Sequence, residues 1–263
     1  MKKKVIASLG IKNEDWIIEK TLKVLDQFCD KIIIVDDHST DNTESICRSF
    51  EKVEWYVNVE HDWKVRTDGV QKMIAIDAIK PHNPDYVLFL DADEIPFKNM
   101  PDFIDERDES IDLWKLPFVH LWGDEKHYRV DKFKTSKGIE VNYNPFDGPA
   151  EFGLGGGSKK GFLMRWVDGH KYSYRTDHHI LPMEPQNVPG PWGLSNETGI
   201  LHYGKITEHF TSGKKDEEYA VMRSHTMGFN LQDRIKHHEE CRDEMKLEVK
   251  EVNPEWLWEG IND

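Results

Sequence analysis

The chain has 263 residues, 38% hydrophobic and 32% charged, with a formal net charge of -14. That length supports a sizeable core in one large domain or one domain with an appendage, and so negative a balance argues against non-specific binding to nucleic acid or an anionic membrane. Three cysteines (Cys29, Cys47, Cys241) form no C-x-x-C pair, and no apolar stretch approaches the roughly 20 residues of a membrane helix, so a cytoplasmic protein without a membrane span is expected.

From the N-terminus, Val5–Leu9 reads as a short apolar strand. Glu14–Phe28 places Ile17, Ile18, Leu22, Leu25 and Phe28 at helical spacing. Lys31–Val35, "KIIIV", is a β-branched strand suited to burial, and "DDHSTDNT" supplies turn and cap chemistry for a helix over Asn42–Phe50. Val53–Val59 is a third strand, Asp68–Lys80 a third helix closed by Pro81, and Tyr86–Leu90 a fourth strand. Continuous apolar strands alternating with helices predict an α/β fold with a mostly parallel sheet covered on both faces. Such sheets bind ligands at the carboxyl ends of their strands. Asp36–Asp37 and Asp91–Asp93–Glu94 stand at two such ends and are expected to line one crevice.

Beyond Pro96 the alternation breaks down. Ile111–Phe118 and Tyr128–Phe133 are expected strands, interrupted by Trp, His, Gly and Pro. Gly148–Phe162 is glycine-rich and reads as a mobile loop over the crevice, with Lys159 and Lys160 within reach of an anionic ligand there. Leu231–Val252 is expected as a charged surface helix, and the tail "NPEWLWEG" exposes two tryptophans unless they dock. Trp114, Trp122, Trp166 and Trp192 fall in this variable half, where they could stack on sugar rings or bases. The divisions expected are 1–97, 98–212 and a helical extension over 213–263.

Three carboxylates at one strand end repel each other unless a cation or a donor-rich ligand lies between them. In a strand, residues i and i+2 share a side, so Asp91 and Asp93 could hold one hard cation, Mn²⁺ or Mg²⁺, that keeps waters and shares substrate phosphates. The competing reading is an acid cluster at a helix N-terminus.

Three motifs in order carry a family resemblance. "IIIVDDHSTDNT" (Ile32–Thr43) resembles the V-D-D-x-S-x-D-x-T signature of family 2 glycosyltransferases. "YVLFLDADE" (Tyr86–Glu94) resembles their D-x-D strand, and "IKNEDWIIEKTLKVL" (Ile11–Leu25) the N-E helix after their first strand. The resemblance is close over Val5–Pro96 and weak beyond. It implies a GT-A fold, a Rossmann-like sheet with a variable acceptor-binding half, and a nucleotide-diphosphate sugar donor, a UDP-sugar first among them. Under it Leu9, Glu14, Asp36, Asp37, Ser39, Arg66 and Asp91 serve the nucleotide, with Gln71 and Lys72 as rivals to Arg66. Asp37, Ser39 and Asp41 read equally as caps of the following helix. Asp91 and Asp93 serve the metal, and "GILHYGKI" (Gly199–Ile206) resembles a segment that returns a third ligand, here His202; a core histidine is the alternative.

An inverting transferase needs a carboxylate base for the acceptor hydroxyl. Asp177 is the first candidate, with Glu151 and Asp168 as alternatives and an Arg175 salt bridge as the competing role for Asp177; His178 and His179 could orient a phosphate or the acceptor. The acceptor classes left open are glycan, lipid-linked sugar, peptide and modified nucleobase. Two other functions compete. A sugar nucleotidyltransferase would carry a glycine-rich, arginine-bearing loop after the first strand, where this chain has "SLGIKNEDW". A non-catalytic nucleotide- or glycan-binding protein would keep the scaffold without the base.

Overall fold

The computed structural model describes residues 2–58, 68–107, 109–134, 140–147, 159–172, 187–204, 206 and 248–261. Its N-terminal half follows the expected alternation: β1 (Val5–Ile11), α1 (Ile18–Phe28), β2 (Lys31–Asp36), α2 (Thr43–Cys47), β3 (Val53–Val57), α3 (Asp68–Ile79) and β4 (Tyr86–Asp91). After it come β5 (Glu94–Pro96), α4 (Met100–Asp105), β6 (Leu113–His120), β7 (His127–Arg129), β8 (Lys132–Lys134) and β9 (Glu140–Asn142). Then follow β10 (Lys159–Arg165), β11 (Trp192–Leu194), β12 (Ile200–His202) and β13 (Val249–Glu251). No helix among the described residues is long and apolar enough to cross a membrane.

The first helix starts at Ile18, four residues later than its apolar spacing suggests, because the preceding segment is tied to the loop after β2. Asn13 takes a left-handed φ of 53°. The Asn13 N–H donates to Ser39 Oγ (2.8 Å), the Glu14 N–H to Thr43 Oγ1 (2.8 Å) and the Asp15 N–H to Asp41 Oδ2 (3.2 Å). In return Asn13 Oδ1 accepts from the Thr40 N–H at 2.8 Å. Backbone groups held this way satisfy themselves outside a helix, so both polar motifs form one interlocked pair of loops.

The main sheet runs β3-β2-β1-β4-β10-β6-β12-β5, with β11 also on β6. β1 to β4 are parallel to one another, whereas β10 is antiparallel to both of its neighbours. Chain connectivity forces this sheet to curl. Only Ala92 and Asp93 separate the end of β4 at Asp91 from the start of β5 at Glu94, a reach of about 10 Å, while four flat strand spacings would be about 19 Å. Curling carries the ends of β10, β6 and β12 around the Asp91–Glu94 turn.

Alternate residues of β1 divide the core. Val5, Ala7, Leu9 and Ile11 pack on the α1 side. Ile6 packs with Ala75, Ile76 and Ile79 of α3 on the other. The two tail tryptophans dock: Trp256 stacks on Phe97 at 4.5 Å, and the Trp258 Nε1–H donates to the Pro96 carbonyl at 2.7 Å. Val249–Glu251, expected at the end of a surface helix, pairs instead with β7 as a strand, so the described part of the extension braces β5 and β7. The remainder of that expected helix, 231–247, lies outside the described residues.

Candidate active site

Going outward from β1, the chain runs to β2 and β3 on one side and to β4 on the other. The carboxyl ends of β1 and β4 therefore flank a topological switch point, the place where an open α/β sheet leaves a crevice. A cleft opens there on the α3 side, lined by Ser8, Gly10, Gln71, Lys72, Asp91 and Lys160. Gly10 lies close against Gln71: a Cβ there would sit 3.2 Å from Gln71 Oε1. Arg66 lies outside the described residues, and its two rivals, Gln71 and Lys72, both line the cleft. Leu9 borders it too, but the residue is fully buried and its side chain belongs to the core.

The first acid pair stands one strand away, with Asp36 in register with Ile11. Asp36 is buried, and its carboxylate accepts from the Ser39 N–H at 2.9 Å and from the Ser39 hydroxyl. Asp37 accepts from Asn58 Nδ2 at 3.0 Å and lies 3.7 Å from Lys12 Nζ. Asp41 caps the following turn, its Oδ1 accepting from the Thr43 N–H at 3.0 Å. Glu14 is buried and accepts from Trp16 Nε1 at 2.9 Å, which locks the loop in front of α1. Ser39 and Glu14 thus shape the loops that present Asp36 and Asp37.

The Asp91–Glu94 turn answers how one strand end tolerates three carboxylates. Lys160 Nζ contacts Glu94 Oε1 and lies 3.4 Å from Asp91 Oδ2. The lysine and Glu94 side chains are 6% and 1% exposed, so this is an internal ion pair. Glu94 Oε2 also accepts from the Asp91 N–H at 2.8 Å. Burial, with Asp91 and Asp93 nearby, pushes the Glu94 carboxyl up to about 7 against the pull of Lys160. Burial alone would lower the Lys160 ammonium, but the Asp91 and Glu94 carboxylates outweigh it and hold it above the usual lysine range.

Two expectations are corrected here. Lys159 and Lys160 do not ride on a mobile loop; they open β10, buried between β4 and β6. Nor do Asp91 and Asp93 keep a strand's i, i+2 relation, because the chain turns at Ala92–Asp93. Asp91 faces Lys160, whereas Asp93 faces His202. The acids are followed by β5 rather than by a helix, which removes the helix-terminus reading.

β12 pairs with β5 and β6, setting His202 opposite both Glu94 and His120. His202 Nε2 lies 3.3 Å from Asp93 Oδ2, and its Nδ1 lies 3.0 Å from Nδ1 of His120. The Tyr203 N–H holds the Asp93 carbonyl at 2.8 Å, and Thr21 Oγ1 donates to the Ala92 carbonyl at 2.5 Å, so the turn is pinned from both sides. A Cβ on Gly204 would sit 2.7 Å from Asp93 Oδ2 and 2.8 Å from His202 Nε2. The bare glycine leaves a cradle beside one oxygen and one imidazole nitrogen. Among the described residues, no group of three or more His, Cys, Asp or Glu side chains converges as a complete ligand set. The chemistry of the Asp93–His202 pair, one carboxylate oxygen and one imidazole nitrogen, fits a divalent cation.

Of the candidate bases, Asp177 and Glu151 lie outside the described residues, as do His178 and His179. Asp168 stands in an exposed turn just past Arg165, which pairs with Tyr86 at the start of β4. It is at the opposite end of the sheet from Asp91, too remote to share a substrate with the cleft. Of the four tryptophans of the variable half, Trp166 is core, Trp122 covers the Arg129 guanidinium at 4.5 Å, Trp114 is half-buried, and Trp192 is exposed. Sequence reasoning missed His120 and the inward turn of Lys160. Both sit at ends of strands whose neighbours come from far along the chain, and a histidine ending each of two apolar runs, "LPFVH" and "GILH", was the one available signal.

The structure is similar in outline to glucosyl-3-phosphoglycerate synthase from Mycobacterium tuberculosis, solved with Mn²⁺, uridine diphosphate and glucosyl-3-phosphoglycerate, with a TM-score of 0.34 and 22% identity. That likeness covers 44% of this chain and 44% of the synthase, less than half of either. Residues 1–349 of S. aureus TarS align over 92% of this chain and 75% of theirs, with a TM-score of 0.49 and 14% identity. No curated protein matches the chain. Residues 10–111, which hold both acid clusters, match the family model of glycosyl transferase family 2.

Proposed function

We propose that the chain is a metal-dependent, inverting glycosyltransferase that moves a sugar from a UDP-sugar to an acceptor hydroxyl or amine. One observation carries this reading: the carboxylates Asp36–Asp37 and Asp91–Asp93, within the segment that matches the family model, stand at the ends of β2 and β4 on either side of β1, around a cleft at the switch point of the sheet. Asp36 and Asp37 accept from the uracil and ribose, and Asp91 takes a ribose hydroxyl. Asp93 and His202 hold a Mn²⁺ or Mg²⁺ ion, which when bound neutralises the charge growing on the departing diphosphate. The acceptor attacks the anomeric carbon as the bond to the β-phosphate oxygen breaks, and a carboxylate takes the acceptor's proton. Asp177 is proposed for that base, with Glu151 as the substitute. Buried, unbridged Cys29 and Cys47 are in keeping with the proposed cytoplasmic setting.

The test is incubation of the purified chain with a panel of sugar nucleotides and no acceptor. Slow release of UDP is expected from one of the UDP-sugars with Mn²⁺ present, and its loss on chelation. A nucleotide-binding protein without chemistry would bind and release nothing. Pyrophosphate-dependent formation of UTP would instead mark a nucleotidyltransferase.

A further inference from the structure

The Asp93–His202 pair ends on a second histidine whose place in the site follows from ring chemistry. A hydrogen bond between the two Nδ1 atoms, 3.0 Å apart, needs a proton on one and a lone pair on the other. If His120 supplies the proton, a neutral His202 carries its own on Nε2, where Asp93 accepts it across 3.3 Å. If His202 supplies it, Nε2 becomes a lone pair facing the cradle beside Gly204. Only the second arrangement can coordinate a cation, since a metal takes a bare imidazole nitrogen and the other ring nitrogen must then find an acceptor. The two rings meet edge to face at 4.9 Å, and parallel pairing of β12 with β6 sets the two residues side by side in register. Tyr143 packs edge-on against His120 at 5.3 Å, and Phe118 lies 4.6 Å from it. The His120 ring is thus held from several sides in the orientation that presents Nδ1.

We propose that His120 is a positioning residue for the cation: its Nδ1 accepts the Nδ1–H of His202, which turns His202 into a ligand beside Asp93. This rests on the reading of Asp93 and His202 given above. The probe is Mn²⁺ together with UDP, titrated calorimetrically into the full chain, with UDP alone as the reference. His120→Leu removes the acceptor and is expected to lower the Mn²⁺-dependent affinity about 10–100-fold, the usual effect of losing an outer partner of a metal ligand. His120→Asn places its Oδ1 near the position of Nδ1 and is expected to retain the affinity. His120→Gln, whose amide reaches the Nε2 position instead, should behave as His120→Leu does, and it replaces that variant if the leucine chain does not fold. Affinity for UDP alone is expected to be the same in all of them. Full Mn²⁺ dependence in a folded His120→Leu or His120→Gln protein overturns the proposal, as does an asparagine variant as weak as the leucine one. A wild-type protein whose UDP affinity ignores Mn²⁺ overturns the metal reading itself, which separates the two failures.

Discussion

Replacing Lys160 with methionine is expected to cost about 3–5 kcal/mol of stability, the loss seen when one partner of a buried ion pair is removed and the other is left behind. The charge left behind is Glu94, 1% exposed on its side chain, with Asp91 and Asp93 as neighbours. Its acid behaviour gives the effect a pH signature. In the wild-type fold Glu94 titrates at about 7 against an ordinary 4.5, so it contributes stability at low pH that is lost as pH rises through that interval. Without Lys160 its carboxyl is pushed higher still. The deficit of Lys160→Met is therefore expected to shrink on the acid side of 7 and to grow on the alkaline side. Urea denaturation across that range measures it, and Lys160→Met with Glu94→Gln should recover most of the loss. A deficit independent of pH, or one the double variant does not relieve, would show that lost packing against Phe118 and Phe162, whose rings lie 5.3 and 5.0 Å from Nζ, is the dominant cause.

The second large effect is expected from Asp93→Asn. Asp93 is 8% exposed, faces His202 and stands next to Glu94, whose carboxyl its charge helps to push up. Neutralising it removes one proposed metal ligand while relieving repulsion within the turn. UDP affinity with Mn²⁺ present should fall to the metal-free value, by at least the roughly 10–100-fold that loss of an outer-shell partner produces. The melting temperature should hold or rise. Calorimetry and thermal denaturation on the same sample check both. A variant that melts far lower than wild type would assign Asp93 to the fold, and one that keeps its Mn²⁺ dependence would remove it from the metal.

The part of the fold legible in the sequence is the part whose burial is local. Ile32–Val35 and Tyr86–Leu90 are apolar without interruption because they lie between two helix-covered faces, so both their existence and their parallel pairing could be read directly. The acid pairs were legible for the same reason, since a strand that must be apolar along its length announces where it ends. β10 was not. "SKKGF" has the composition of a loop, and Lys160 enters the interior only because the Asp91–Glu94 turn, far away in sequence, supplies its counter-charge. His202 could be proposed from the sequence, whereas His120 depends on the pairing of β6 with β12, which no local pattern carries. Trp256 and Trp258 dock on Phe97 and Pro96 for an equally non-local reason.

The proposed site places a nucleoside diphosphate at the carboxyl ends of β1, β2 and β4, with a divalent cation on Asp93 and His202. The most direct measurement is a crystal structure of the chain grown with UDP and Mn²⁺, the metal located by its anomalous scattering. A manganese peak is expected within coordination distance of Asp93 Oδ2 and His202 Nε2, next to the diphosphate, with the uracil beside Asp36 and Asp37. UDP held elsewhere on the chain, or manganese on Asp91 and Glu94 with Lys160 displaced and His202 uninvolved, would contradict it.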